Sequence, residues 1–139
     1  MNYKESLEEI ETTLTELQEE NKTIPIIVEG DKDKEALQKL EINGEIIVFN
    51  RGMSISMFCD QIAQKYTAVI LLLDWDHRGG QLSSAIAKQL KGRTICNLTY
   101  RKQLAKRSMI RTVEGLPSFI ETLKKKIDET KNNTFTAHS

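Results

Sequence analysis

The chain has 139 residues, 39% of them apolar, and its 20 Lys/Arg balance 20 Asp/Glu to a net charge of zero. That length and apolar content suit one domain with an ordinary core, and no apolar run approaches the ~20 residues needed to span a bilayer. The acidic, periodic stretch from Met1 to Glu20 reads as neither a signal nor a transit peptide.

Tyr3, Leu7, Ile10, Leu14 and Leu17 recur at helical spacing and mark a first helix over about residues 3–20. Its apolar stripe either packs on its own domain or forms a dimer seam, so monomer and homodimer both stay open. A strand at about 24–29 then precedes a helix at about 32–42, which Asn43-Gly44 stops. The apolar run Glu45 to Asn50 reads as a second strand. Arg51-Gly52 turns into a helix near 54–65, with Ser54 as its N-cap. A third strand, 67–74, leads to a helix at about 81–91 and a fourth strand at 93–98. Thr99 is placed to cap a basic helix reaching Arg107. Gly115-Leu116-Pro117 introduces the last helix, proline being tolerated in a first turn. Residues 131–139 are polar and expected to fray. Cys59 and Cys96 lie in apolar segments without C-x-x-C spacing; they read as buried free thiols, in keeping with a reducing cytoplasm.

Strands alternating with helices imply an α/β fold, a compact Rossmann-like parallel sheet of about four strands flanked by helices. The near-continuous apolar character of 24–28, 46–49 and 68–73 fits strands covered on both faces. Ligands of such sheets gather at the carboxyl ends of the strands, and acidic residues stand there. The first strand ends at Glu29. The third ends in Leu73-Asp74-Trp75-Asp76-His77-Arg78-Gly79-Gly80. In a strand residues i and i+2 point to the same side, so Asp74 and Asp76 are expected to face together with Cβ atoms about 6–7 Å apart while Trp75 faces away. Carboxylates crowded in a partly desolvated cleft repel one another unless a cation neutralises them. Mg²⁺ suits an all-oxygen set and keeps coordination sites for substrate phosphates, with Mn²⁺ an acceptable substitute. Zinc is disfavoured, since His77 and His138 are the only histidines.

The zero net charge hides a split. Residues 1–76 carry 7 Lys/Arg and 16 Asp/Glu, net −9, whereas residues 77–139 carry 13 and 4, net +9. The acidic part holds the metal candidates, and the basic part suits an anionic partner. Arg101, Lys102, Lys106, Arg107 and Arg111 form a basic patch after the last strand, either a track for a nucleic-acid backbone or a solvated helix face. Arg51, His77 and Arg78 are further candidates for phosphate contact.

Val28-Glu29-Gly30-Asp31-Lys32-Asp33-Lys34-Glu35-Ala36-Leu37, followed downstream by the D-x-D segment, resembles the toprim domain of topoisomerases, bacterial-type primases, overcoming-lysogenization-type nucleases and a ribosomal-RNA maturase. The resemblance covers about residues 24–98. The whole chain is similar to small stand-alone toprim proteins of archaea, with 1–20 as an N-terminal helix and 99–130 as a helical extension. The resemblance implies Mg²⁺-dependent chemistry on DNA or RNA, such as phosphodiester cleavage or nucleotidyl transfer. Glu29 then matches the family's catalytic glutamate, as ligand or general acid/base. Asp74 and Asp76 match its metal-binding aspartates, and Asp33 a further acidic position of the primase-like branch. The alternative is a non-catalytic, Mg²⁺-assisted nucleic-acid-binding module or a subunit dependent on a protein partner. Topoisomerase activity is disfavoured, because Tyr3, Tyr66 and Tyr100 all sit in packing or loop contexts. A haloacid-dehalogenase-like phosphatase needs acids at a later strand tip, but Glu114, Glu121, Asp128 and Glu129 are not so placed. A response-regulator receiver needs a fifth-strand lysine, which is not apparent.

Overall fold

A computed structural model describes residues 2–49 and 52–137, with side chains described through Asn132. Six helices and four strands alternate in the order α1 (Tyr3–Glu20), β1 (Ile26–Val28), α2 (Asp31–Lys39), β2 (Ile46–Val48), α3 (Ile55–Lys65), β3 (Ala68–Leu71), α4 (His77–Leu90), β4 (Ile95–Asn97), α5 (Thr99–Arg107) and α6 (Leu116–Ala137). The strands form one parallel sheet in the order β2-β1-β3-β4. The expected α/β architecture is therefore present.

Period-two alternation divides the core between the two faces of the sheet. Ile26, Val28, Ile70 and Leu72 pack with α1, α2, α5 and α6 through Leu14, Leu17, Leu37, Leu104 and Ile120. Ile27, Val69, Leu71 and Leu73 pack instead with α3 and α4 through Phe58, Ile62, Ile86 and Leu90. Burial on both sides explains why these strands read as unbroken apolar runs.

Most of the α1 stripe packs inside the domain: Ile10, Leu14 and Leu17 are buried and Leu7 partly so, whereas Tyr3 is exposed. The opposite charges of the two parts of the chain meet here as well. Arg107 of α5 pairs with Glu9 of α1 at 2.5 Å, and the Tyr100 hydroxyl donates to Glu20. Asn97 donates to the same carboxylate at 3.1 Å. Part of the −9/+9 split is thus matched internally between packed helices.

Several boundaries differ from expectation. The ladders are shorter than the apolar runs: β3 stops at Leu71, although the Leu72 amide still donates to Ile27 at 2.9 Å and the Phe49 amide beyond β2 to Val28 at 2.8 Å. Helix α4 begins at His77 rather than near residue 81, since Asp76 caps it by accepting from the Gly79 amide at 2.6 Å. Ser54 caps α3 as expected, accepting from the Met57 amide. Thr99 does not cap α5: it is the first helical residue, and the Asn97 side chain accepts its amide hydrogen at 2.8 Å. Helix α6 continues through Ala137, beyond the start of the segment expected to fray. Cys59 and Cys96 are both free, but only Cys59 is fully buried.

Candidate functional site

Strand order places the site. From β1 the chain crosses through α2 to β2, whereas from β3 it crosses through α4 to β4 on the opposite side. Those helices cover opposite faces of the sheet. The connections diverge between adjacent β1 and β3, which opens a crevice at their carboxyl ends, the usual ligand position in such sheets. Glu29 follows β1 directly and Asp74 lies just past β3, so both acids flank that crevice.

They are in contact. Glu29 Oε1 accepts a hydrogen bond from the Asp74 amide at 3.3 Å. Asp74 Oδ1 accepts from the Val113 amide at 3.0 Å. Asp33 is buried and bridges two main-chain amides, accepting from Gly30 at 3.0 Å and from Glu114 at 3.1 Å. It therefore ends the first strand, opens α2 and ties both to the segment before α6. Asp76 points one oxygen into the first turn of α4. Backbone beyond β3 bends at Trp75 and Asp76, so the two aspartates are not successive teeth of a regular strand. Trp75 packs against the core cluster that includes Val113; its indole N–H donates to the Ile110 carbonyl and its amide to that of Arg111, so it leans on the same segment that gives Asp74 the Val113 amide.

Asp74 carries the electrostatic stress of this arrangement. Its pKa is pushed up from 3.8 to about 6, foremost by burial. The Val113 amide opposes the rise, while the negative charges of Asp33, Glu29 and Asp76 add to it. Among the described residues, no three His, Cys, Asp or Glu side chains converge closely enough to hold a metal as they stand. Asp33, Asp74 and Asp76 each engage a main-chain amide instead. The donor chemistry nevertheless fits a hard divalent cation, being all oxygen, negatively charged and partly desolvated. Glu29, Asp74 and Asp76 are the residues that would hold it.

Two residues shape the loop that carries the aspartates. Arg101, half-buried on α5, donates from Nη2 to the Asp74 carbonyl at 2.7 Å and from Nε to the Leu73 carbonyl at 3.1 Å. Gly79 sits so close that a Cβ there would lie 1.9 Å from the Asp74 carbonyl oxygen. Only glycine lets α4 start against that backbone.

The other candidates scatter. His77 and Arg78 are exposed on the first turn of α4, and Arg78 lines the same depression as Glu29. Lys102 and Lys106 are exposed one turn apart on α5. Arg107 is engaged with Glu9, and Arg101 with the carbonyls at Asp74. Arg51 lies outside the described residues, as does His138. The main-chain amides of Val113 and Glu114 were not foreseeable as site groups, because any non-proline residue supplies an amide and no side-chain pattern announces it.

The model of the toprim domain matches residues 24–108. The chain belongs to the toprim family. Among similar proteins, a UPF0292 protein of Thermoplasma volcanium is 46% identical over 102 residues, covering 73% of this chain and 86% of that one. A UPF0292 protein of Methanocaldococcus jannaschii is 35% identical over 124 residues, covering 86% and 96%. A solved structure described as a putative protein from Aquifex aeolicus superposes with a TM-score of 0.64 at 27% identity, covering 74% of this chain and 94% of its own. The expected toprim domain is thereby found, with archaeal proteins among its relatives, and the family points to a metal-dependent role connected with nucleic acid. Among the described residues, no helix is long and apolar enough to cross a membrane.

Proposed function

We propose that this toprim protein acts on DNA or RNA by Mg²⁺-assisted cleavage or transfer of a phosphodiester. The observation that carries the reading is the seating of Glu29 on the Asp74 amide at the switch point of the sheet, beside a carboxylate whose pKa is about 6. When bound by Glu29, Asp74 and Asp76, Mg²⁺ or Mn²⁺ would polarise the phosphate and stabilise the leaving oxygen. Glu29 is then placed as a ligand or as the group that moves a proton at the attacking or leaving oxygen. Arg78, exposed next to Glu29, supplies a cation for the substrate phosphate, and Lys102 and Lys106 extend the positive surface along α5. Arg101 and Asp33 hold the backbone of the site.

A second reading, a module that holds nucleic acid with Mg²⁺ without cutting it, is favoured by the hydrogen bonds that already engage Asp74 and Asp76. Labelled single-stranded RNA, duplex RNA and DNA, each incubated with and without Mg²⁺, separate the two. The expected result is Mg²⁺-dependent cleavage that falls by about 10²-fold or more in Glu29→Gln, the usual range for losing an acid/base group. Retention on a gel without cleavage would replace the enzyme by the binding module. No binding and no cleavage would leave a subunit that needs a protein partner.

A further inference from the structure

Beside Glu29, where β2, α3 and α4 meet, the surface sinks into a pocket of about 540 Å³. Phe49 and Ile55 form one apolar wall, and Leu82 and Ala85 of α4 the other. Arg78 and Gln81 are exposed at its edge. Residues 78, 81, 82 and 85 share one face of α4 because they are three or four positions apart. The Phe49 ring meets Phe58 in a T-shaped contact, with centroids 5.0 Å apart and planes at 74°. Its orientation is therefore set before any ligand arrives.

A catalytic acid, an aromatic and apolar slot, an amide and a guanidinium thus share one wall system. Metal and phosphate chemistry needs none of the apolar surface. A flat heterocycle does, and Gln81 offers both a donor and an acceptor for its edge. We propose that the pocket takes an unpaired nucleobase of the substrate strand, with the adjoining phosphate on Arg78, so that the site works on single-stranded or locally opened nucleic acid. Within a duplex both faces of a base are covered by its neighbours, so the slot cannot receive it until it leaves the stack. The inference rests on the nucleic-acid reading above and narrows its substrate.

The test is fluorescence anisotropy of the full chain with labelled single-stranded DNA, single-stranded RNA and the duplex of each, with Ca²⁺ replacing Mg²⁺ to suppress turnover. Either single strand should bind about tenfold more tightly than its duplex, the scale of one base–aromatic stack. The tighter of the two identifies the sugar. Ala85→Phe, which fills the slot, and Gln81→Ala, on an exposed position that folding does not need, should both lower single-strand affinity and leave duplex affinity and the melting temperature unchanged. Equal binding of single strand and duplex, or a Gln81→Ala and a folded Ala85→Phe that bind single strands like the parent, would overturn the proposal while sparing the wider reading. If no oligonucleotide binds at all, the nucleic-acid reading fails and this one with it.

Discussion

Asp74→Asn is the most telling perturbation of this site, because it removes a charge that the metal-free fold disfavours. A carboxyl whose pKa is pushed from 3.8 to about 6 makes the ionised form cost about 3 kcal/mol in the folded chain, at 1.36 kcal/mol per tenfold. Asp74 is only partly buried, so solvent screening trims this to about 1–2 kcal/mol. The folded pKa lies above the unfolded one. The stabilisation from protonating Asp74 is therefore fully present below about pH 3.8 and is lost as pH rises through about 6. Asparagine can still accept from the Val113 amide without the charge. In EDTA at pH 7.5 the variant should thus melt higher than the parent, by roughly 3–8 °C for a domain of this size. The gap should close by pH 4. With Mg²⁺ the order should reverse, since a ligand at 100 times its Kd adds about 2.7 kcal/mol to the protein that binds it. Melts followed by circular dichroism over pH 4–8 decide the matter. A variant that melts lower than the parent in EDTA at pH 7.5, or a gap independent of pH, would refute the account of Asp74 as a strained charge.

Two further outcomes follow from the loop around it. Gly79→Ala forces a methyl against the Asp74 carbonyl at 1.9 Å, so α4 must move; the urea midpoint should fall by the equivalent of about 1–3 kcal/mol, with loss of any Mg²⁺ stabilisation. Arg101→Met keeps much of the apolar stem but removes the donors to the Leu73 and Asp74 carbonyls. It should cost about 1.5–3 kcal/mol and weaken Mg²⁺ binding, as titrated by calorimetry, while a simple phosphate-contact role for Arg101 would leave stability untouched.

The helices were legible wherever an apolar stripe met a side-chain signal. The α1 stripe from Ile10 to Leu17 and the Ser54 cap of α3 are examples. Helix α4 begins earlier than its pattern suggests because Asp76 is itself its cap, while in sequence the same carboxylate reads as a metal ligand. One short acidic side chain serves both purposes equally well on paper. The basic patch is ambiguous in sequence for a related reason. Arg101, Lys102, Lys106 and Arg107 look alike in a row, yet two are exposed and two are drawn inward, to a carbonyl pair and to Glu9. Which way a long cationic stem turns depends on partners distant in the chain.

Local order alone determined that two apolar strands end in acid and that helices follow them, because alternation, glycine and capping chemistry act over a few residues. Only the folded sheet decided that β1 and β3 are neighbours, which brings Glu29 onto the Asp74 amide across 45 positions of chain. Only the packing of α6 brought the Val113 and Glu114 amides onto Asp74 and Asp33. Pairing order and main-chain donors carry no residue-type signature, since every strand and every amide offers the same hydrogen bonds.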